Sequence, residues 1–369
     1  MTTPTTSPVL SGRAPIVTLQ DVHVVHRTRG GGLFDRERVY ALTGADLSIR
    51  PGETVGVVGE SGCGKSTLAK VLVGLQKPTS GVVRIADHDV WSMSAAERRQ
   101  HIGAGVGMVF QDPSSSLNRR MPVRDILRDP LDVHGRGNRA QRERRVEELM
   151  ELVGLPRSVA DVLPSQLSGG QRQRVSIARA LALEPGLVIA DEPTSALDVS
   201  VRAQILNLLL DLKDRLDLAM VFVSHDIQTV KRVSDRVVTM YLGRIVEQTP
   251  ARALPMGGQH PYTRALFSAT PGLLSPIDPI PLVGPVPSAT RPPSGCPFRT
   301  RCWKATDVCA TQMPEPHTGA ADNGTLHELR CYHPIPAGTS DADLVALARD
   351  ASSTPQPENP TRSNVEETA

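Results

Sequence analysis

The sequence has few aromatic residues, almost no net charge and no long hydrophobic segment. Aromatic residues are 3% of the 369 residues, so a core must be built mainly from Val, Leu, Ile and Ala within a hydrophobic share of 39%. That share excludes a chain that is disordered throughout. The net charge of +2 provides no bulk attraction for nucleic acid. No stretch approaches the roughly 18 to 20 apolar residues of a membrane-spanning helix. The opening segment MTTPTTSPVLSGRAP lacks the charged start and apolar core of a signal peptide, which predicts a cytoplasmic protein.

Cysteine is also scarce, but its placement is uneven. Of five cysteines, Cys63 stands alone, and the others follow one another with five, six and twenty-one intervening residues: Cys296, Cys302, Cys309 and Cys331. In a cytosolic chain such a cluster favours a metal over disulfides. The spacing fits neither C-x-x-C zinc knuckles nor the common ferredoxin patterns, so zinc, an iron–sulfur cluster and free thiols all remain open.

The hydrophobic pattern divides the chain into four parts. Residues 1–14 and 337–369 are rich in Ser, Thr and Pro, and we expect both to be disordered tails. Across 15–250, short apolar strands alternate with helical segments, which predicts an α/β fold with a largely parallel sheet. A charged, helix-like stretch at about 112–167 indicates a helical insertion. Proline is dense across 251–336, which predicts an irregular extension.

A glycine-rich loop lies between an apolar strand and a helix. It fits the phosphate-binding pattern G-x-x-x-x-G-K-[ST] with these residues: Gly59, Glu60, Ser61, Gly62, Cys63, Gly64, Lys65, Ser66 and Thr67. Glycines let successive backbone N–H groups point at phosphate oxygens, and the helix that follows adds its positive dipole end. Lys65 would place a cation on the β- and γ-phosphates, and the Ser66 hydroxyl would ligate Mg²⁺. The alternative is a glycine turn that fits by chance.

Two carboxylates follow a second apolar strand. The run 187–190 ends in Asp191 and Glu192. We expect Asp191 to hold Mg²⁺, directly or through water, and Glu192 to polarise the attacking water. By itself an apolar run ending in Asp-Glu is usually only the end of a strand, but here it follows a phosphate loop.

Between these two elements lies LSGGQ, and it leads into the helical stretch QRQRVSIARAL. This motif resembles the ATP-binding subunits of ABC transporters. The family's other motifs follow in order: Gln111 as the Q-loop glutamine, SALD ending in Asp198 as the D-loop, and His225 as the switch histidine. The resemblance implies a P-loop NTPase fold with an antiparallel β subdomain and a helical subdomain. It also implies ATP and Mg²⁺ as cofactors.

The resemblance further implies that two ATPase domains pair head to tail. ATP on the phosphate loop of one domain is then covered by the other domain's Ser168, Gly169, Gly170, Gln171 and Asp198. Lys65, Glu192 and His225 would be catalytic, with Glu192 as general base and His225 orienting the γ-phosphate and water. Ser66, Gln111 and Asp191 would hold Mg²⁺. An aromatic side chain usually stacks on the adenine, and Tyr40 is our candidate, with Phe34 as the alternative.

Other strings resemble the peptide/nickel importer branch of that family. They are ESGCGKST, GMVFQDP, MYLGRIVE and, in the extension, HPYTRAL. In some members of this branch four cysteines like those found here hold a [4Fe–4S] cluster, which the resemblance favours over Zn²⁺ as a structural staple. The expected partners are a sister ATPase (a homodimer being possible), two permease subunits and an extracytoplasmic peptide-binding protein. These would place the chain at the cytoplasmic face of the cell membrane.

Some alternatives stay open. A nickel chelate or glutathione is the alternative to a peptide as the solute, because the ATPase does not touch the solute. A soluble ABC ATPase acting on nucleic acid or ribosomes is disfavoured, since the chain has neither a second ATPase half nor a basic stripe. A non-hydrolysing regulatory subunit is disfavoured by the intact motif residues. Permease helices would dock on the stretch after Gln111, where the apolar residues are either groove or subdomain core: Leu117, Met121, Val123, Ile126 and Leu127.

Overall fold

The structure is a computed structural model that describes residues 14–29, 36–254, 256–269, 278–318, 327–336 and 338–353. The strands are β1 (Val17–Arg29), β2 (Arg36–Ile49), β3 (Thr54–Val58), β4 (Ser80–Ile85), β5 (His88–Asp89), β6 (Val106–Val109), β7 (Leu187–Asp191), β8 (Ala219–Val223), β9 (Arg236–Tyr241), β10 (Arg244–Pro250), β11 (His317–Thr318) and β12 (Glu328–Leu329). The helices are α1 (Lys65–Leu72), α2 (Ala95–Gly105), α3 (Pro113–Ser116), α4 (Val123–Val133), α5 (Arg139–Leu152), α6 (Gly169–Ala180), α7 (Val199–Leu216), α8 (Ile227–Val233), α9 (Pro261–Ser268), α10 (Asp307–Thr311) and α11 (Asp341–Ser353). Among these residues, no helix combines the length and the apolar character that crossing a bilayer requires.

The main sheet has the strand order β11-β12-β10-β9-β3-β8-β7-β6, and its strands from β9 to β6 run parallel. Every residue of β3, β7 and β8 is buried. In β7, Leu187 and Ile189 join one hydrophobic core, while Val188 and Ala190 join the core on the opposite face. A strand covered on both faces must be apolar throughout, so these runs do not alternate with polar residues. The predicted parallel α/β fold is confirmed.

A second, antiparallel sheet has the order β2-β1-β4-β5. Its inward residues, such as Leu19 and Leu42, share a core with Val57 of β3 and Leu68 of α1. The register of β1 against β2 shifts near Asp21, whose φ of 47° is typical of a bulge. This sheet lies beside the phosphate loop because its β2 strand contacts α1 and the loop that precedes it.

The helical insertion consists of α3, α4 and α5, and it packs on α6. Its amphipathic α4 buries Val123, Ile126 and Leu127 in the same core as Leu149 of α5. Leu117 is buried there too, and Met121 packs against it. These residues therefore form the core of the subdomain itself, and they are not free to line a docking groove.

The extension is more regular than its proline content predicts. β12 pairs with β10, and β11 pairs with β12, so the extension lengthens the main sheet at its edge. A small core of its own joins Tyr241, Tyr262 and Phe298, whose ring centroids lie 4.7 to 5.3 Å apart. The edge strand β10 is thus covered, which removes an exposed row of backbone donors and acceptors.

The disordered tail expected at 337–369 is wrong for part of its length. Helix α11 occupies Asp341–Ser353, and it buries Leu344, Val345 and Ala348 against Ile280 and Ile335. Asp341 also forms a buried ion pair with Arg264 of α9. The average composition hid a short amphipathic stretch, whose apolar residues recur at helical spacing. The expected tail at 1–14 lies, except for Ala14, outside the described residues, as do residues 354–369.

Candidate functional site

The loop between β3 and α1 has the geometry that a phosphate cradle requires. Gly59 and Gly64 adopt φ angles of 152° and 103°. A Cβ at Gly59 would lie 2.2 Å from the carbonyl oxygen of Met240, and one at Gly64 would lie 2.3 Å from that of Ala41. Side chains are excluded at both positions, so the backbone can curl tightly and direct its N–H groups inward. The loop ends at α1, whose first N–H groups provide the anion-binding end.

Lys65 lies in this loop with its side chain buried. Its ammonium donates to the carbonyl oxygens of Gly59 at 2.8 Å and Glu60 at 3.0 Å. Buried Cys63 lies beside it, with Sγ 3.9 Å from the ammonium nitrogen, and burial raises the pKa of that thiol. The lysine is therefore held at the loop by two backbone carbonyl groups.

The two predicted carboxylates lie at the end of β7, next to α1. Asp191 Oδ1 is 3.5 Å from Ser66 Oγ at the start of α1. Burial raises the pKa of Asp191, while its contact with Ser66 acts in the opposite direction. A carboxylate and a hydroxyl at this separation are the oxygen donors that Mg²⁺ prefers.

Two residues predicted separately from the sequence, Gln111 and His225, converge on one carboxylate oxygen of a third, Glu192. Gln111 Nε2 donates to Glu192 Oε2 at 3.0 Å, and His225 Nδ1 lies 3.4 Å from the same oxygen. The His225 side chain is 65% exposed and that of Glu192 is 18% exposed, so this corner opens to solvent. Glu192 has a φ of 46°, a strained conformation for this residue and one that concentrates at functional sites. Its N–H donates to the carbonyl of Val223, which fixes the strained backbone to β8.

LSGGQ forms the start of α6. Ser168 caps the helix by accepting from the Gln171 N–H, and the Gln171 side chain accepts from the Ser168 N–H. A Cβ at Gly170 would lie 2.7 Å from Val201, so the small residue lets α7 approach. Asp198 begins α7 without a side-chain capping bond. Ser168 and Gln171 bond to each other and not to this chain's phosphate loop.

Tyr40 lies in β2, half-exposed, and precedes Ala41, whose carbonyl abuts Gly64. Its backbone N–H donates to the carbonyl of Ala289 in the extension. Tyr40 therefore lies beside the loop, and its stacking on adenine stays a prediction. The alternative residue, Phe34, lies outside the described residues.

Sequence reasoning missed the part that the extension plays in this site. Glu60, inside the phosphate loop, is contacted by Tyr262 and by Arg301. In the sequence, Tyr262 is one letter of HPYTRAL, and Arg301 directly precedes Cys302. Nothing in their spacing indicates that they lie at the loop, because the contacts join residues more than 200 positions apart.

The four clustered cysteines line one small cavity, together with His260 and His333. Burial raises the pKa of Cys302 and of Cys331 to about 12, and neighbouring cysteines add to the shift. Within the described part of the chain, no group of three or more His, Cys, Asp or Glu side chains is placed so that it could hold a metal ion. The expected metal staple is therefore not confirmed, although its four proposed ligands do come together.

Comparisons with known proteins agree with this geometry. The ABC transporter family matches residues 42–195, and the family described as the C-terminal region of oligopeptide/dipeptide transporters matches residues 246–309. The oligopeptide transport ATP-binding protein AppF of Bacillus subtilis is 44% identical, over 81% of this chain and 93% of its own length. The dipeptide transport ATP-binding protein DppF of Haemophilus influenzae is 45% identical, over 82% of this chain and 92% of its own length.

Solved structures give the same answer. The fold matches the dimeric cassette MJ0796, in a post-hydrolysis state bound to ADP and Pi, with a TM-score of 0.58 and 33% identity, over 64% of this chain and 99% of that one. It also matches cbiO1 of Clostridium perfringens, with a TM-score of 0.56 and 27% identity, over 66% of this chain and 91% of that one. The chain therefore belongs to the ABC transporter family, among the ATP-binding proteins that carry the oligopeptide/dipeptide transporter C-terminal region.

Proposed function

We propose that this chain is the ATP-hydrolysing subunit that powers a membrane importer of di- and oligopeptides. One observation carries the hydrolytic part: Gln111 and His225 meet on Glu192, beside the Asp191–Ser66 pair and the phosphate loop. The peptide part is supported by the names of the relatives and by the matching extension.

Each side chain in the site has a proposed role. Ser66, Gln111 and Asp191 hold Mg²⁺, which screens the charge of the phosphates. Lys65 binds the β- and γ-phosphates, together with the N–H groups of the loop. Glu192 accepts a proton from the attacking water, and His225 orients the γ-phosphate and that water. In the structure Glu192 Oε2 already has two nitrogen neighbours, which support a defined orientation of the base.

The second half of each site comes from another ATPase subunit. The N-terminal end of α6 offers the N–H groups of Gly169 and Gly170 and the Ser168 hydroxyl, which suit a γ-phosphate. They do not contact this chain's own loop, which supports a head-to-tail pair. We propose a heterodimer with a sister ATPase, with a homodimer as the alternative. The dimeric cassette among the similar structures supports pairing in general.

The permease subunits would dock on a groove beside the helical subdomain. This groove lies between the α2–β6 region and α3, α4 and α6, and it begins next to Gln111. Its lining includes Phe110, Ser116, Pro130, His134 and Arg179, and the apolar residues after Gln111 belong instead to the core of the subdomain. Docking here would hold the chain at the cytoplasmic face of the membrane, where a binding protein on the other side delivers the peptide through the permease.

We propose that the four clustered cysteines bind a [4Fe–4S] cluster, with Zn²⁺ as the alternative. Their convergence on one cavity supports this. A metal-bound form requires the thiols to be deprotonated and closer than they are in the described arrangement. Protein purified without oxygen should contain iron and sulfide in equal amounts and absorb broadly near 400 nm, an order-of-magnitude marker. Stoichiometric zinc would favour the alternative, and neither metal would exclude both.

The test of the proposed function is reconstitution. The chain, its sister ATPase, the permease pair and the binding protein are assembled in vesicles, and ATP hydrolysis is measured with candidate solutes. Peptides should stimulate hydrolysis and accumulate inside the vesicles. Stimulation by a nickel chelate or glutathione alone would reassign the solute. Hydrolysis that responds to nucleic acid or ribosomes, and to no permease, would favour a soluble ABC ATPase.

A further inference from the structure

The extension contacts the phosphate loop at Glu60. The backbone N–H of Glu60 donates to the Tyr262 hydroxyl oxygen at 2.9 Å. The two terminal nitrogens of Arg301 donate to the two carboxylate oxygens of Glu60 at 2.7 and 3.1 Å. This paired geometry fixes both the position and the orientation of a carboxylate, which a single contact does not.

The same loop residue also holds the lysine of the site. Lys65 donates to the carbonyl oxygen of Glu60 at 3.0 Å and to that of Gly59 at 2.8 Å. The N–H, the C=O and the carboxylate of Glu60 are therefore all engaged. Two of these contacts come from the extension and the third from Lys65. A displacement of Tyr262 or Arg301 therefore displaces Glu60, whose carbonyl oxygen accepts from Lys65.

The extension side of this contact is rigid. Tyr262 is fully buried, and its ring packs against Tyr241 and Phe298. The Arg301 side chain is 8% exposed, and its guanidinium carbon lies 6.0 Å from the centre of the Tyr241 ring. Burial disfavours the charge of Arg301, but the hydrogen bonds to Glu60 outweigh it and raise the pKa of Arg301. A buried guanidinium that pairs with Glu60 and lies over the Tyr241 ring is a fixed anchor, because its rotamer freedom is already lost.

We propose that Tyr262 and Arg301 are positioning residues for ATP: through Glu60, the extension holds the phosphate loop in its binding conformation. The inference rests on the proposed ATPase function and adds a role for the extension in that site. The extension would then act on ATP binding and not only on the stability of the fold. Without the contacts of Tyr262 and Arg301 with Glu60, the phosphate loop is less ordered in the free protein. ATP binding must then order the loop, which lowers the affinity for ATP.

The experiment uses the purified full-length chain with Mg²⁺ and a fluorescent ATP analogue, together with steady-state hydrolysis by the assembled importer. The variants are Arg301→Gln, Arg301→Lys, Tyr262→Phe, Glu60→Gln and the double variant Arg301→Gln/Glu60→Gln. Arg330→Gln is the matched control, since Arg330 also joins the extension to the cassette. It pairs with Asp46 at 2.8 Å and is 11% exposed, but it does not contact the loop.

Arg301→Gln should raise both the Kd and the KM for ATP about tenfold, the scale of one charge-assisted hydrogen-bonded pair, with kcat within about twofold. Tyr262→Phe should act in the same direction, more weakly. The double variant should be no worse than the worse single variant, because both remove the same contact. Arg301→Lys should recover part of the affinity, since a lysine reaches the carboxylate at one point only.

A purely structural role predicts a different pattern. Arg301→Gln and Arg330→Gln would then both lower the free energy of unfolding and leave the Kd for ATP unchanged, and this result would overturn the inference. Additive effects of Arg301→Gln and Glu60→Gln on the Kd would also overturn it. Wild-type protein that binds no ATP would instead overturn the proposed function, and the inference with it.

Discussion

The role of Glu192 is open to a sharp kinetic test. The substitution Glu192→Gln keeps the size of the side chain and its ability to accept from Gln111 Nε2, which lies 3.0 Å away. It removes the negative charge that lies 3.4 Å from His225 and that would accept a proton from water. We therefore expect the change to affect the chemical step and to leave the phosphate loop undisturbed.

The expected magnitude follows from the loss of a positioned base. Such a loss slows turnover by about 10² to 10⁴-fold, which corresponds to about 2.7 to 5.4 kcal/mol of transition-state stabilisation. The Kd for ATP should stay within about threefold of wild type, since ground-state contacts are retained. The ATP-bound pair of subunits should therefore accumulate, because hydrolysis no longer separates them.

The assay compares single-turnover hydrolysis, steady-state hydrolysis and equilibrium ATP binding of the assembled importer. Glu148→Gln is a control, as its side chain is 61% exposed on α5 and pairs with Arg145. Unchanged single-turnover hydrolysis in the Glu192→Gln variant would refute the base assignment. A large loss of ATP affinity with unchanged kcat would place Glu192 in binding instead.

Three further predictions test other parts of the structure. Leu344 in α11 is 2% exposed, so Leu344→Ala should lower the free energy of unfolding, measured in urea, by about 2 to 5 kcal/mol. The control Leu347→Ala, at a residue 54% exposed, should lower it by less than about 0.5 kcal/mol. Equal losses would mean that α11 does not pack as described. Gly64→Ala should weaken ATP binding at least about tenfold, because its Cβ would lie 2.3 Å from the Ala41 carbonyl oxygen at a φ of 103°, and near-normal binding would exclude this loop as the cradle. In a heterodimer, Lys65→Ala and Ser168→Arg should each abolish a different ATP site and together abolish both, measured by trapped nucleotide; if each single change abolishes all trapping, the chain forms a homodimer.

Much of the fold was predictable because its signals are local. The run 187–190 is apolar at every position, and a strand of that kind needs cover on both faces, which predicts a central parallel strand. The phosphate loop was predictable from Gly59 to Thr67, since its glycines and its lysine act over a few neighbouring residues. In the same way, Ser168 and Gln171 form a capping box that is readable from the sequence alone.

Two kinds of feature were not predicted from the sequence. Some were masked when composition was averaged over a long segment, and others depend on contacts between residues far apart in the chain. Helix α11 was missed because a composition taken over 337–369 dilutes one short amphipathic segment among polar residues. For the apolar residues after Gln111, the sequence left both a docking groove and a subdomain core open, and only the packing of α5 and α6 shows that they form the core. For the four cysteines, the sequence predicted their convergence but not whether their thiols are arranged to bind a metal.

The contact at Glu60 belongs to this second class, and it changes how the extension is understood. A short motif describes residues that are neighbours in the sequence. Tyr262 and Arg301, however, contact Glu60, which precedes them by 202 and 241 positions. Their spacing from Glu60 has no period, so no local pattern can encode it. The fold supplies the link, because β10 brings the extension back along β9, and β9 pairs with the strand that leads into the phosphate loop. An extension attached to that edge of the sheet is thereby adjacent to the phosphate loop, and the proposed anchor at Glu60 is the route by which changes within the extension would act on ATP binding.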